Sequence, residues 1–154
     1  MKIFISGSAT INKLNETIDR ILNKTVNNGY EILVGDCNGV DALIQSYYSD
    51  KGYENVTVYH VGAKPRNCCK NFKAVKVDTA NEMFGYRYYQ QKDIRMTDIA
   101  DVGLVIWDGI SKGSYANVER LLKAKKSVVV HLFKMEKTYT LYDIKDLMLL
   151  KDNF

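Results

Sequence analysis

The chain has 154 residues, of which 46% are hydrophobic and 26% charged, with a formal net charge of +4 at pH 7. That length suits one α/β domain with its own core, and the composition sits near the soluble globular average, which excludes a disordered chain. No apolar run approaches the roughly 20 residues of a membrane-spanning helix, so no membrane partner is expected, and the odd cysteine count argues against a disulfide framework.

The stretch "MKIFISGSAT" passes from an alternating strand pattern straight into a turn. It lacks the long apolar core of a secretory signal, so a cytoplasmic location is expected. From about Asn12, Leu14, Ile18, Leu22 and Val26 recur at i+4 spacing and predict a helix that stops at Gly29. The unit repeats: "YEILV" reads as a strand, "GDCNG" as a loop, and Val40, Leu43, Ile44 and Tyr47 line a helix that ends at Gly52. "NVTVYHV" predicts a third strand. Residues 62–88 hold the chain's single proline and no clean period, and read as a long excursion of the kind that often carries function.

A helix over about 89–100, strand "VGLVIW", a helix over 115–124 and strand "SVVVHLF" follow, with "KTYTLY" as a short edge strand and "DIKDLMLL" as a closing helix. Alternating strands and helices of these lengths predict a single Rossmann-like three-layer domain over residues 1–154. Its sheet is expected to be mostly parallel, of about five strands in the order 3-2-1-4-5, with helices on both faces. Such sheets bind ligands at the carboxyl ends of the strands, beside the point where the strand order reverses.

Three small-residue loops fall at that edge: Gly7-Ser8, Gly35 with "DCNG" and Asp41, and Asp108-Gly109 with Ser111, Gly113 and Ser114. Glycines at 109 and 113 are expected to permit unusual backbone angles and close approaches, and helix-start amides near Ser114 suit a phosphate. Ordinary N-capping by Ser114 and ordinary turn chemistry would use the same residues. GxxxxGK[ST] and GxGxxG are both absent, because "GISKGS" places Lys112 before Gly113, so neither a triphosphate loop nor a dinucleotide fingerprint is supported. Arg66, in the irregular excursion, is a candidate phosphate clamp. Lys92 with Asp93 reads either as a site pair or as a solvated helix pair, and Trp107 as a strand-end core residue in preference to a base-stacking platform.

Cys68 and Cys69 are adjacent, where a mutual bridge is strained, so reduced thiols are expected, and Cys37 has no evident base to make it reactive. His60 and His131 lie within apolar strand runs without Cys or carboxylate at ligand spacing, so they read as core or edge histidines and no metal site is expected. Lys123, Lys125 and Lys126 read as a solvated helix end, which makes nucleic acid an unfavoured partner.

The segments "ISGSAT", "VGDCNGVDAL", "PRN", "YYQQKDIRMTDIADVGLVIWDGISKGSYANV" and "KSVVVH" resemble the SLOG superfamily, which includes the DprA-type Rossmann domain and the cytokinin-activating LOG enzymes. The likeness spans roughly residues 1–131 and is nearest to the small bacterial branch without assigned function. It implies a nucleotide or nucleotide-derived ligand, no cofactor, a homodimer, and ligand contacts at Gly7, Ser8, Gly35, Asp41, Arg66, Asn67, Lys92, Asp108, Gly109, Ser111, Gly113, Ser114 and Asn117.

LOG-type phosphoribohydrolases and the similar deoxyribosyltransferases carry a catalytic glutamate where this chain has Asn117, and an amide cannot serve as a carboxylate nucleophile. Glu119 lies about 200° further round the helix and faces elsewhere. The expectation is therefore a sensor or sequestering protein with no identified catalytic residue. The alternatives are an N-glycosidase acting on nucleoside 5′-monophosphates through Asp41, Asp93 or Asp108, and DprA-like single-strand DNA binding through Arg66, Lys92 and Lys112.

Overall fold

The computed structural model describes residues 1–80 and 82–151. In chain order the elements are β1 (Lys2–Gly7), α1 (Glu16–Asn27), β2 (Glu31–Gly35), α2 (Val40–Asp50), β3 (Val56–His60), β4 (Lys73–Lys76), α3 (Gly85–Ile99), β5 (Val102–Trp107), α4 (Lys112–Lys123), β6 (Val128–Leu132) and β7 (Lys137–Leu141). A 3-10 turn (Ile144–Leu147) and α5 (Met148–Lys151) follow.

The strands form one seven-stranded sheet in the order β4-β3-β2-β1-β5-β6-β7, parallel throughout except for the antiparallel pair β6–β7. Ile5 at its centre pairs with Val34 on one side and Leu104 on the other. This corrects the expected five strands in the order 3-2-1-4-5. The five strands of the expected order occupy the middle; β7 at one edge is the short strand expected from "KTYTLY", and only β4 at the other edge is new. Strand β4 escapes a period-2 reading because "KAVK" is four residues long with lysine at both ends, which is how a sheet blunts an edge. Strand β7 folds back through a tight connection in which Glu136 takes φ 51.

Helices α1 and α2 cover one face, where Ile18, Leu22, Val40, Ile44 and Tyr48 bury against Ile5, Ile32 and Val34. Helices α3 and α4 cover the other, through Met96, Ala100, Val118, Leu121 and Leu122. Burying a side chain of this size contributes about 1.5–3 kcal/mol, so both faces are firmly held. Among the described residues no helix is long and apolar enough to cross a membrane.

Helix starts differ from the expected ones. The first helix begins at Glu16 rather than near Asn12, because Asn15 caps it, its Oδ1 accepting from the Ile18 amide at 2.9 Å. The fourth begins at Lys112 rather than Tyr115, and its cap is Ser111, not Ser114. Gly113 is thus a first-turn helical residue, whereas Gly109, at φ +84, does need the freedom of glycine.

Asn15 also ties the first loop to the sheet. With Oδ1 engaged by the backbone, its Nδ2 donates to Nε2 of the fully buried His131 at 3.0 Å, so that ring is neutral and its Nδ1 donates to Thr138 Oγ1 at 2.8 Å. Burial depresses the His131 pKa below its ordinary 6.5, against a smaller opposing pull from Glu136. In the unfolded chain the imidazole protonates first as pH falls, so His131 costs stability below about pH 6.5 and is neutral in effect above it. The unfolding free energy of the wild type is expected to fall more between pH 7 and pH 5 than that of His131→Gln, as read by denaturant titration. An equal fall in both would contradict the buried neutral ring.

Candidate functional site

The carboxyl edge of β1, β2 and β5 carries a buried polar cluster. Strand β1 ends at Gly7, where an added Cβ would lie 2.5 Å from the Ile106 carbonyl oxygen and 2.6 Å from Val40, so the next loop starts against both β5 and α2. Ser8 then stitches the point where strand order reverses: its Oγ accepts from the Asp108 amide at 3.0 Å and lies 3.3 Å from Ser114 Oγ. Thr10 donates to Asp108 Oδ2 at 2.7 Å across the same gap.

Asp108 is occupied by its own loop. Its Oδ1 accepts from the amides of Ile110 and Ser111, each at 2.8 Å. Partial burial works to raise its pKa, but these amides and the Thr10 and Ser8 bonds outweigh that and hold it below the usual carboxylate range. Trp107, 2% exposed, donates Nε1–H to the Ser111 carbonyl at 2.9 Å and packs on Tyr115, which makes it a core residue that closes the loop. The serines at 8, 111 and 114 and the glycines at 109 and 113 therefore share one rim at the α4 start.

A second group lies at the end of β2. An added Cβ at Gly35 would sit 2.6 Å from Asp41 Oδ2 and 3.1 Å from Lys92 Cε, so only glycine lets the α2 carboxyl and the α3 lysine meet there. Lys92, 5% exposed, donates to Asp93 Oδ1 at 3.1 Å and to the Tyr89 carbonyl at 3.3 Å. Asp41 Oδ2 accepts from the Cys37 amide at 3.1 Å. Burial pushes the Asp41 carboxyl up to about 7, opposed chiefly by Lys92 and assisted by Asp93 and Asp36. Burial alone would depress Lys92, but Asp93 and Asp41 outweigh it and keep the ammonium above its ordinary pKa.

Asn117, 2% exposed, joins the two groups. Its Nδ2 donates to Ser6 Oγ at 2.8 Å and to Asp93 Oδ2 at 3.4 Å, while its Oδ1 accepts from Arg120. Lys92 and Asn117 thus belong to a single chain of polar contacts from α3 to α4, linked through Asp93.

Arg66 and Asn67 arrive from the irregular segment after β3. Arg66 grips Asp36, with Nη2 to Oδ1 at 2.8 Å and Nε to Oδ2 at 3.3 Å, and its guanidinium stands 4.4 Å from the Tyr89 ring centroid. One edge and one face of the expected phosphate clamp are therefore already used. Asn67 Nδ2 donates to the Asp36 carbonyl and to Asn38 Oδ1, both at 3.0 Å, which fixes the segment on the second loop.

Sequence reasoning did not single out Asp36, Gln45, Ser6, Tyr86 or Tyr89. Gln45, 1% exposed, spans Gly35 and Asn67 with Nε2 and takes the Cys69 amide with Oε1. A signal existed: Asp41 and Gln45 are four residues apart on the flank of the apolar stripe of α2, a spacing that puts both on one buried side. Tyr86 is 57% exposed, and an added Cβ at Gly113 would lie 3.9 Å from its Cε2, so its ring stands beside the first turn of α4.

The free cysteines 37, 68 and 69 are half-buried, and burial raises the Cys37 and Cys68 thiols, which makes them poor nucleophiles. Among the described residues no group of three His, Cys, Asp or Glu side chains is arranged to hold a metal ion. Concave surface lies beside the cluster, under the 107–112 loop, lined by Trp107, Ile110, Tyr115 and Lys151. No protein-family model matches the chain, and no curated protein or solved structure matches it significantly.

Proposed function

We propose that the protein binds a nucleotide or nucleotide-derived small molecule at the carboxyl edge of the sheet, as a sensor or sequestering protein of SLOG type. The observation that carries the reading is the Tyr86 ring beside Gly113, which brings an exposed aromatic face to a helix start whose first turn is Lys112, Gly113, Ser114 and Tyr115 without an acidic side chain. A base seeks the first and a phosphate the second. The small residues of the three loops and the buried Lys92 ammonium support the same ligand class. A homodimer is part of the proposal, and exposed Tyr142, Met148 and Leu149 offer apolar surface for it.

Calorimetric titration with nucleoside monophosphates and ADP-ribose tests the reading. Tyr86→Ala is expected to weaken binding about tenfold, since base stacking contributes about 1–3 kcal/mol, while the thermal midpoint of this exposed position stays put. Unchanged affinity in the variant would remove the aromatic half of the site. The glycosidase reading draws on one observation, that Asp93 Oδ2 takes a hydrogen bond from Asn117, so a carboxylate does stand beside the amide. Release of free base from a monophosphate, lost in Asp93→Asn, would favour it.

A further inference from the structure

Three carboxyls and two cations meet at the end of β2. Asp36 is matched by Arg66 through two side-chain contacts, which leaves the buried Lys92 facing both Asp93 and Asp41. Asp93 holds the lysine directly, whereas Asp41 accepts from the Cys37 amide and only lies against the Lys92 stem at Gly35. Asp41 is therefore the member whose charge is least compensated.

Resting on the proposed anionic ligand, we infer that an anion arriving at this rim binds together with a proton, which Asp41 takes from solvent. The groups facing Asp41 are Lys92 and Asp93 from α3, and Asp36 and the Cys37 amide from the end of β2. An anion near Lys92 draws on the cation that most favours ionised Asp41 and adds a further negative charge. Both changes favour the neutral carboxyl. A unit charge about 10 Å away, at an effective dielectric of about 20, moves a carboxyl midpoint by about one pH unit. Asp41 starts at about 7, so near neutral pH such a move transfers about half a proton. Asp41 is then a regulatory residue: it couples affinity to pH near neutrality, with tighter binding on the acid side.

The test is calorimetric titration of AMP, GMP, CMP, UMP and ADP-ribose at pH 7.5, in two buffers of different ionisation enthalpy, on wild type and Asp41→Asn. A midpoint that moves from about 7 to about 8 takes up about half a proton at that pH, so wild type is expected to take up about half a proton more than the variant. The phosphate's own ionisation cancels in that difference. Equal uptake in both proteins overturns the inference and leaves the binding site standing. Failure of every ligand to bind overturns both. Asp93→Asn supplies an independent arm should Asp41→Asn not fold: losing the Asp93 charge lowers the Asp41 midpoint, so maximal uptake moves to lower pH. An unmoved maximum contradicts the inference.

Discussion

Gly7→Ala is expected to lower the unfolding free energy by about 3 kcal/mol, the upper range for forcing extra volume into a packed interior. The added methyl would meet the Ile106 carbonyl oxygen at 2.5 Å and both Val40 methyls at 2.6 Å. The first contact is backbone inside a sheet, and the second is a fully buried residue at the start of α2, so neither can yield without shifting β1, β5 or the helix. Sequence resemblance gives Gly7 a ligand contact; the structure gives its missing side chain to the junction of β1, β5 and α2. Urea titration checks this, and a loss below about 1 kcal/mol would mean the junction adjusts freely.

Lys92→Met should lower stability by about 3 kcal/mol at pH 8 and abolish measurable nucleotide binding. Removing one member of a buried ion pair leaves charge uncompensated, which costs about 3–5 kcal/mol. Here Asp93 loses its partner and Asp41 loses the cation that most opposes its neutralisation. The loss should shrink at pH 6. An acid whose folded pKa is raised binds its proton in the native state before the unfolded chain does, so its unfavourable ionised form is relieved as pH falls through about 7. Denaturant titration at both pH values reads the effect. An equal loss at pH 6 and pH 8 would show that Asp41 does not take up the missing charge.

Apolar spacing made the central strands and the helix stripes legible, because Ile18, Leu22, Val40 and Ile44 bury at helical intervals and "VGLVIW" buries almost throughout. On α2, however, it is Tyr48 that is fully buried and the expected Tyr47 only partly so. Strand β4 was not legible: Lys73 and Lys76 carry no apolar signal, and its place depends on pairing with β3. Helix starts were misplaced for local reasons. Leu14 extends the stripe of α1 beyond its Asn15 cap, and Gly113 reads as loop although it lies in the first turn of α4.

The candidate site was partly legible. Gly35, Asp41 and Lys92, chosen from separate segments, do meet at one point. The partners of Arg66 were not, since Asp36 is thirty residues away and only the fold brings the two to 2.8 Å. Nor could spacing show that Asp41 is buried enough to rise to about 7, because that follows from what α3 lays over it.

The central proposal is a nucleotide-class ligand held at the carboxyl edge of β1, β2 and β5. Mass spectrometry of small molecules released from the natively purified protein, followed by incubation with nucleoside monophosphates, ADP-ribose and NAD, tests it most directly. The account predicts an intact nucleotide or nucleotide derivative bound near one per chain, without turnover. Release of free base would make the protein an enzyme, and a chain that carries and binds none of these compounds would contradict the account.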